Sequence, residues 1–237
     1  MTDSFPITRW SVVYDAGGQD ISLTRNAMAT LYEAYWPPLY AYVRRKGHDR
    51  DESRDLIQSF FIHVMEDDCL RNVSQEHGRF RAFLLVCLKN FISDEHRRRA
   101  AVKRGSGQPD FSLDFAAAEH HLGLEPRTNI TPEDLFERRW ASTILDRAMV
   151  RLAAYYAKRK ESARFESLKG YLNQDQETVG YRQAAQALGI SEDAFRQAVR
   201  RIRQQFGRCL RAEIGLTVAT KEDIDGEVRY LLSTLRK

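Results

Sequence analysis

YRQAAQALGISEDAFRQAVRRIRQQF, Tyr181 to Phe206, decides the reading of the last third of this chain. Ala184, Ala185, Leu188, Ile190, Phe195 and Val199 are the small and apolar positions expected to lock two helices across a tight turn. Gly189 supplies the turn, Ser191 follows as an N-cap, and Glu192 and Asp193 suit the positive end of the second helix dipole. At helical spacing Phe195, Val199, Ile202 and Phe206 share one face, so the opposite face holds Asp193, Gln197, Arg200, Arg201 and Gln204, flanked by Arg196 and Arg203. A second helix of this kind can enter a major groove, its Arg and Gln side chains reading base edges and its other cations meeting phosphates. The pattern of small residues, turn and cap also fits an ordinary amphipathic hairpin with a solvated arginine face.

Composition bounds what surrounds this motif. The 237 residues can form two small domains or one medium one without metal or disulfide staples. Net charge is only +4, from 37 Lys and Arg against 33 Asp and Glu, so local clustering of cations says more about a polyanionic partner than the balance does. Cys69, Cys87 and Cys209 are odd in number and far apart, which suits a reducing cytoplasm and buried thiols. The opening MTDSFPITRW lacks a basic-then-apolar signal, and no stretch approaches the ~18 apolar residues of a spanning helix. The expectation is a soluble, cytoplasmic chain without membrane insertion.

Apolar residues recur at spacings of three and four almost throughout, while strand alternation is scarce. The fold class expected is all-α, with two small helical domains joined by a flexible linker and the helix-turn-helix in the second. The first helix should run from about Thr24 to Lys46, with Met28, Leu31, Tyr32, Tyr35, Leu39, Tyr42 and Val43 on one stripe and a kink or split at Pro37 and Pro38. A second, capped at Asp49 or Asp51, buries Leu56, Ile57, Phe60, Phe61 and Val64 and turns Asp55, Gln58, Ser59, Ile62 and Glu66 outward. A third, from about Arg79 to Arg99, buries Phe80, Phe83, Leu84, Cys87 and Phe91. Residues 103–130 then carry Gly, Pro and Ser without a sustained stripe and read as a linker. Thr131-Pro132-Glu133-Asp134 opens another helix, with Leu135, Phe136, Trp140, Ile144, Leu145, Leu152 and Tyr156 on its core face. Phe165, Leu168 and Leu172 suggest one more before the helix-turn-helix. The resulting domains are 1–102, 131–214 and a tail, 215–237, whose short helix carries Ile224, Val228, Leu231, Leu232 and Leu235 and is expected to dock on the second domain.

Two further segments carry chemistry. In DLIQSFF, Asp55 to Phe61, the outward face continues to Ile62, an isoleucine among polar residues that suits a protein contact and equally a chance exposure. FRAFLLVCLKNFISDEHRRRAAVKRG, Phe80 to Gly105, ends in Arg97, Arg98, Arg99, Lys103 and Arg104, with Lys89, Ser93 and His96 aligned on its outer side. Cations beside aromatics fit a nucleic-acid strand, and cations at a helix C-terminus also follow from its dipole.

Together these segments resemble bacterial RNA polymerase sigma factors. DLIQSFF is similar to their DLVQEVF-type motif, the basic helix to their promoter-melting helix and the last motif to their second promoter-reading domain. Order and linker match the small two-domain extracytoplasmic-function (ECF) kind over about Ala27 to Leu210. The resemblance implies a specificity subunit that binds core RNA polymerase, recognises promoter DNA and helps to melt it, with an anti-sigma protein or other regulator as a further class of partner. Carried over by position, Asp55, Gln58 and Ile62 would meet the coiled coil of the largest polymerase subunit. The loop from Asp67 to Gly78 with Arg79, Phe80, Arg81, Lys89, Asn90, Ser93, Arg97, Arg98 and Lys103 would face the melted minus-ten element. Arg196, Gln197 and Arg200 would read the minus-thirty-five element, with Arg201, Arg203 and Arg208 on phosphates. Tyr155 to Gly180 is longer and more polar than the segment that usually precedes this motif in the family. The rival reading is a helix-turn-helix transcriptional regulator that works without polymerase, which would have no need of DLIQSFF. No catalytic centre, metal or cofactor is expected. His120 and His121 are adjacent and diverge on a regular element, and HExxH, GxSxG, CxxC and phosphate-cradling glycine loops are missing from the sequence.

Overall fold

A computed structural model of the protein describes residues 21–66, 79–101, 130–172, 180–218 and 222–236. All regular structure among them is α-helical: α1 (Ile21–Arg45), α2 (Arg50–Glu66), α3 (Phe80–Ala101), α4 (Pro132–Ala157), α5 (Ser162–Lys169), α6 (Tyr181–Ala187), α7 (Glu192–Gly215) and α8 (Asp223–Arg236). The expected linker up to Asn129, Lys103, Cys69, the loop 67–78 and the first twenty residues lie outside the described residues, as do the side chains of Met28, Leu31, Glu66 and Arg99. The chain divides into two compact units, one formed within 1–143 and 214–237, the other by 144–213.

In the first unit α1 packs on α2 and both pack on α3. Gly47 at φ +100° lets the chain leave α1. The Asp49 carboxylate then accepts the Glu52 N–H at 2.8 Å and caps α2. Leu56, Ile57, Phe60, Phe61 and Val64 are buried as their spacing predicts. Their rings meet edge-on partners, Phe61 against Tyr32 at 4.4 Å and Phe60 against Phe91 at 5.7 Å. Of the kink or split expected at Pro37-Pro38, the split is corrected: α1 runs as one helix with both prolines inside. Each removes one backbone hydrogen bond, but Ala34, Tyr35, Leu39, Tyr40, Ala41, Tyr42 and Val43 are all buried around them, and that packing outweighs the loss. On α3, Phe83 and Cys87 are half-buried, and Leu85 and Leu88 complete the core face in their place.

Thr131 caps α4, its hydroxyl accepting the Asp134 N–H at 3.0 Å. The first part of α4 gives Leu135, Phe136, Trp140 and Ala141 to the first unit's core, and Ile214, Val218 and Leu231 add to it from the chain's end. The tail helix α8 falls in one unit with α1–α3 and the start of α4, whereas the expectation placed it on a domain spanning 131–214; its Glu227 is paired with Arg79 and Arg81.

The second unit is built on Ile144, Ala148, Leu152 and Tyr156 of α4, Phe165 and Leu168 of α5, Tyr181 and Ala185 of α6, and Phe195, Ala198, Val199, Ile202, Cys209 and Leu210 of α7. Leu145 and Leu172, both expected in that core, are half-buried. Gly189 at φ +64° takes the turn between α6 and α7, and the Ser191 hydroxyl accepts the Ala194 N–H at 3.2 Å. Leu188 and Ile190, expected to lock these helices together, are instead each 41% exposed. The lock is aromatic: Tyr171, Tyr181 and Phe195 meet edge-on with centroids 5.0–5.5 Å apart.

Candidate functional site

The polar side of α2 presents less than its spacing suggests. Asp55, Ser59 and Ile62 are half-exposed, but Gln58 is only 3% exposed. The expectation that Gln58 projects outward is therefore corrected. Because α2 packs on both α1 and α3, its buried arc is wider than one stripe and takes in position 58.

Along α3 the candidate residues separate into two groups. Phe80 is buried against Tyr35 at 5.4 Å, edge-on, and stacks with Phe83 at 6.2 Å, so its ring belongs to the core rather than to an outward edge. Arg81, which the resemblance aims at the melted minus-ten element, is 3% exposed. Its Nε donates to Glu137 Oε2 at 2.8 Å, its Nη1 pairs with Glu227 Oε1, and its guanidinium lies 4.1 Å from the Trp140 ring centroid and 4.6 Å from that of Tyr230. Arg79 reaches Glu227 Oε2 at 3.1 Å and also sits over Tyr230. Lys89 binds Glu133 at 2.7 Å; the ion pair raises the Lys89 pKa and holds the Glu133 carboxyl below its ordinary range. Glu133, Glu137, Trp140, Glu227 and Tyr230 were not legible as partners, since nothing local in the sequence aims them at α3.

The other candidate residues of α3 whose side chains are described are open. Asn90, Ser93, Arg97 and Arg98 are exposed; the Ser93 hydroxyl donates to the Lys89 carbonyl at 2.9 Å, Arg97 and Arg98 make surface pairs with Asp94 and Glu95, and Arg97 Nε also donates to the Ser93 carbonyl. Such pairs, three residues apart in water, are worth little and exchange readily for another anion.

In the second unit Arg196, Gln197, Arg200, Arg201 and Gln204 are exposed on α7 as their projection predicts, and so is Arg208. Arg203 is half-buried, its Nε donating to the Tyr171 carbonyl at 3.0 Å, so it braces the aromatic lock as well as facing the groove. Tyr181, Arg196, Val199, Arg200, Arg203, Gln204, Gly207, Arg208 and Arg211 line an open groove of about 1040 Å³. Arg211 extends this cationic stripe one turn beyond the segment the motif covers, and continuing the same helical projection finds it. Glu192 holds Arg196 at 2.6 Å, and the carboxylate raises that guanidinium's pKa. A groove walled by arginines can accept a phosphate backbone, and Arg200 in its lining and Gln197, exposed on the same helix, carry base-reading chemistry.

Beneath this surface, Glu213 is buried and accepts from Arg147 at 3.0 Å and Arg151 at 2.7 Å. Burial also pushes the Cys209 thiol pKa up. No helix among the described residues is long and apolar enough to cross a membrane.

Residues 31–102 match the family model for sigma-70 region 2, a stretch that takes in most of α1 and all of α2 and α3. The match shows that this stretch is similar to sigma-70 region 2. No curated protein and no solved structure matches the chain.

Proposed function

We propose that the protein is a sigma factor of the two-domain ECF kind, which binds core RNA polymerase in the cytoplasm, recognises a promoter and assists its melting. The match of residues 31–102 to sigma-70 region 2 carries this reading. It covers the segment in which DLIQSFF and the basic helix lie. The groove on α7, behind a glycine turn and a serine cap, supports a promoter-reading role for the second unit.

In this reading Asp55 and Ile62, half-exposed on α2, meet the polymerase, while buried Gln58 orders the helix that presents them. Asn90, Ser93, Arg97 and Arg98 form the open edge for the minus-ten strand. Gln197 and Arg200 read the upstream element, with Arg196, Arg201, Arg203, Arg208 and Arg211 along the phosphates. The protein acts as a binding subunit and uses no cofactor or catalytic centre of its own.

The test is reconstitution. The full chain is mixed with bacterial core polymerase and genomic DNA, and transcript 5′ ends are mapped against core alone. New starts that share sequence elements upstream are expected. Starts identical to those of core alone sink the reading, and specific DNA binding without retention on core identifies a regulator that acts without polymerase.

A further inference from the structure

The cations of α3 that the family resemblance aims at the minus-ten strand are not equally available. Arg79, Arg81 and Lys89 are each held by a carboxylate that comes from much later in the chain: Glu227 for Arg79, Glu137 and Glu227 for Arg81, and Glu133 for Lys89. Asn90, Ser93, Arg97 and Arg98 have no such cover from α4 or α8 in any described contact. The cover is concentrated at the start of α3 and has two chemical parts. Carboxylates supply these guanidinium groups with anions, and the Tyr230 ring lies against both of them, 4.3 Å from Arg79 and 4.6 Å from Arg81. A single strand of DNA offers the same two groups, an anion and a flat π face.

We infer that α8 is an autoinhibitory lid, which imitates a nucleic-acid strand on Arg79 and Arg81 and must leave before that strand can bind. This deepens the sigma-factor reading and rests on it for the identity of the competing ligand. Three features make the contact exchangeable. Glu227 is 4% exposed, and burying an ion pair returns little net stability because both charges lose water, so the same cations can take a phosphate at small cost. Arg81 Nη2 is buried without a hydrogen-bond partner, so α8 does not saturate the donors that it covers. The helix spans only Asp223–Arg236, anchors Glu227, Leu231 and Thr234, and leaves Leu232 and Leu235 largely exposed. A helix this short is marginal once detached, so release would also unfold it.

The lid predicts competition between α8 and a strand for the same guanidinium groups. The full chain and its Glu227→Gln variant are titrated with a mixed-sequence single-stranded deoxyoligonucleotide. Hydrogen exchange of 223–236 is followed in the parent chain during the titration. The variant keeps the shape of the side chain and removes its charge, and it should bind the oligonucleotide about tenfold more tightly, the scale of a typical coupling between competing ligands. In the parent, amides of 223–236 should lose protection as oligonucleotide is added while those of α2 keep theirs. Equal affinity of parent and variant, no measurable binding by either, or unchanged α8 protection at saturating oligonucleotide overturns the lid. The exchange arm needs no substitution, so a variant that fails to fold does not remove the test. Failure of the sigma-factor reading shows separately, as no retention of either protein on core polymerase.

Discussion

Glu213 accepts hydrogen bonds from two arginines at a buried position, so its removal leaves like charges facing each other without an anion. Glu213→Ala should lower the stability of the 144–213 unit by ~2 kcal/mol, less than the ~3–5 kcal/mol of a wholly buried pair because Arg151 reaches water. Denaturant melts of parent and variant read this directly, and a change within ±0.5 kcal/mol, the scale of an ordinary surface substitution, shows that the pair is not holding the helices. Gln58 and Arg81 carry the opposite lesson at the same scale. Both are polar, Gln58 falls outward on a helical projection and Arg81 is aimed at a DNA strand by the family resemblance, yet each is 3% exposed. Periodicity reports which residues could share a face. It does not report how wide an arc the neighbouring helices bury, or whether a buried carboxylate waits for a guanidinium.

At the scale of elements, α1 and α4 show how packing and charge override local preference. Two consecutive prolines inside α1 are tolerated because the residues around them are buried. The start of α4 is tied to α3 through Lys89 and Glu133, and the two pKa shifts define when that tie exists. Glu133 is lowered by its lysine, so its contribution is present above the ordinary carboxylate range and lost as pH falls through the lowered value. Lys89 is raised mainly by its carboxylate, so its contribution is present below the ordinary lysine range and lost as pH rises through the raised value. The tie is therefore complete around neutrality and weakens on strong acidification. Both side chains are more than a third exposed, so the effect is small and screened by salt. Amide exchange near the start of α4 should quicken between pH 7 and pH 3, after correction for intrinsic rates, by more in the parent than in Glu133→Gln. Parallel profiles for the two proteins remove the tie.

Across the whole molecule, cations are presented in two ways, and DNA binding should report both. Arg200 lies exposed at the groove on α7, so Arg200→Ala should cost about 1–3 kcal/mol on a preferred upstream sequence and relax specificity there, if it forms a bidentate base contact. Arg98, exposed on α3, should act through charge alone, so that Arg98→Ala weakens matched and scrambled DNA alike and reduces the salt slope by roughly one. A salt series on both DNAs separates the two, and equal weakening of both DNAs by Arg200→Ala would make that arginine a phosphate anchor. The all-helical class, the caps at Thr131 and Ser191, the α2 cap as one of Asp49 and Asp51, the turn at Gly189 and the exposed arginines of α7 were legible in the amino-acid sequence. Each depends on residues within a turn or two of one another, where backbone hydrogen bonding and helical spacing act. Only the tertiary structure decided which described cations of α3 are held by carboxylates from later helices, and that α8 lies with the first unit. Arg81 and Glu137 are 56 residues apart, and Glu227 lies farther still along the chain. Burial and charge pairing at that separation depend on which helices pack, a choice that no local pattern encodes.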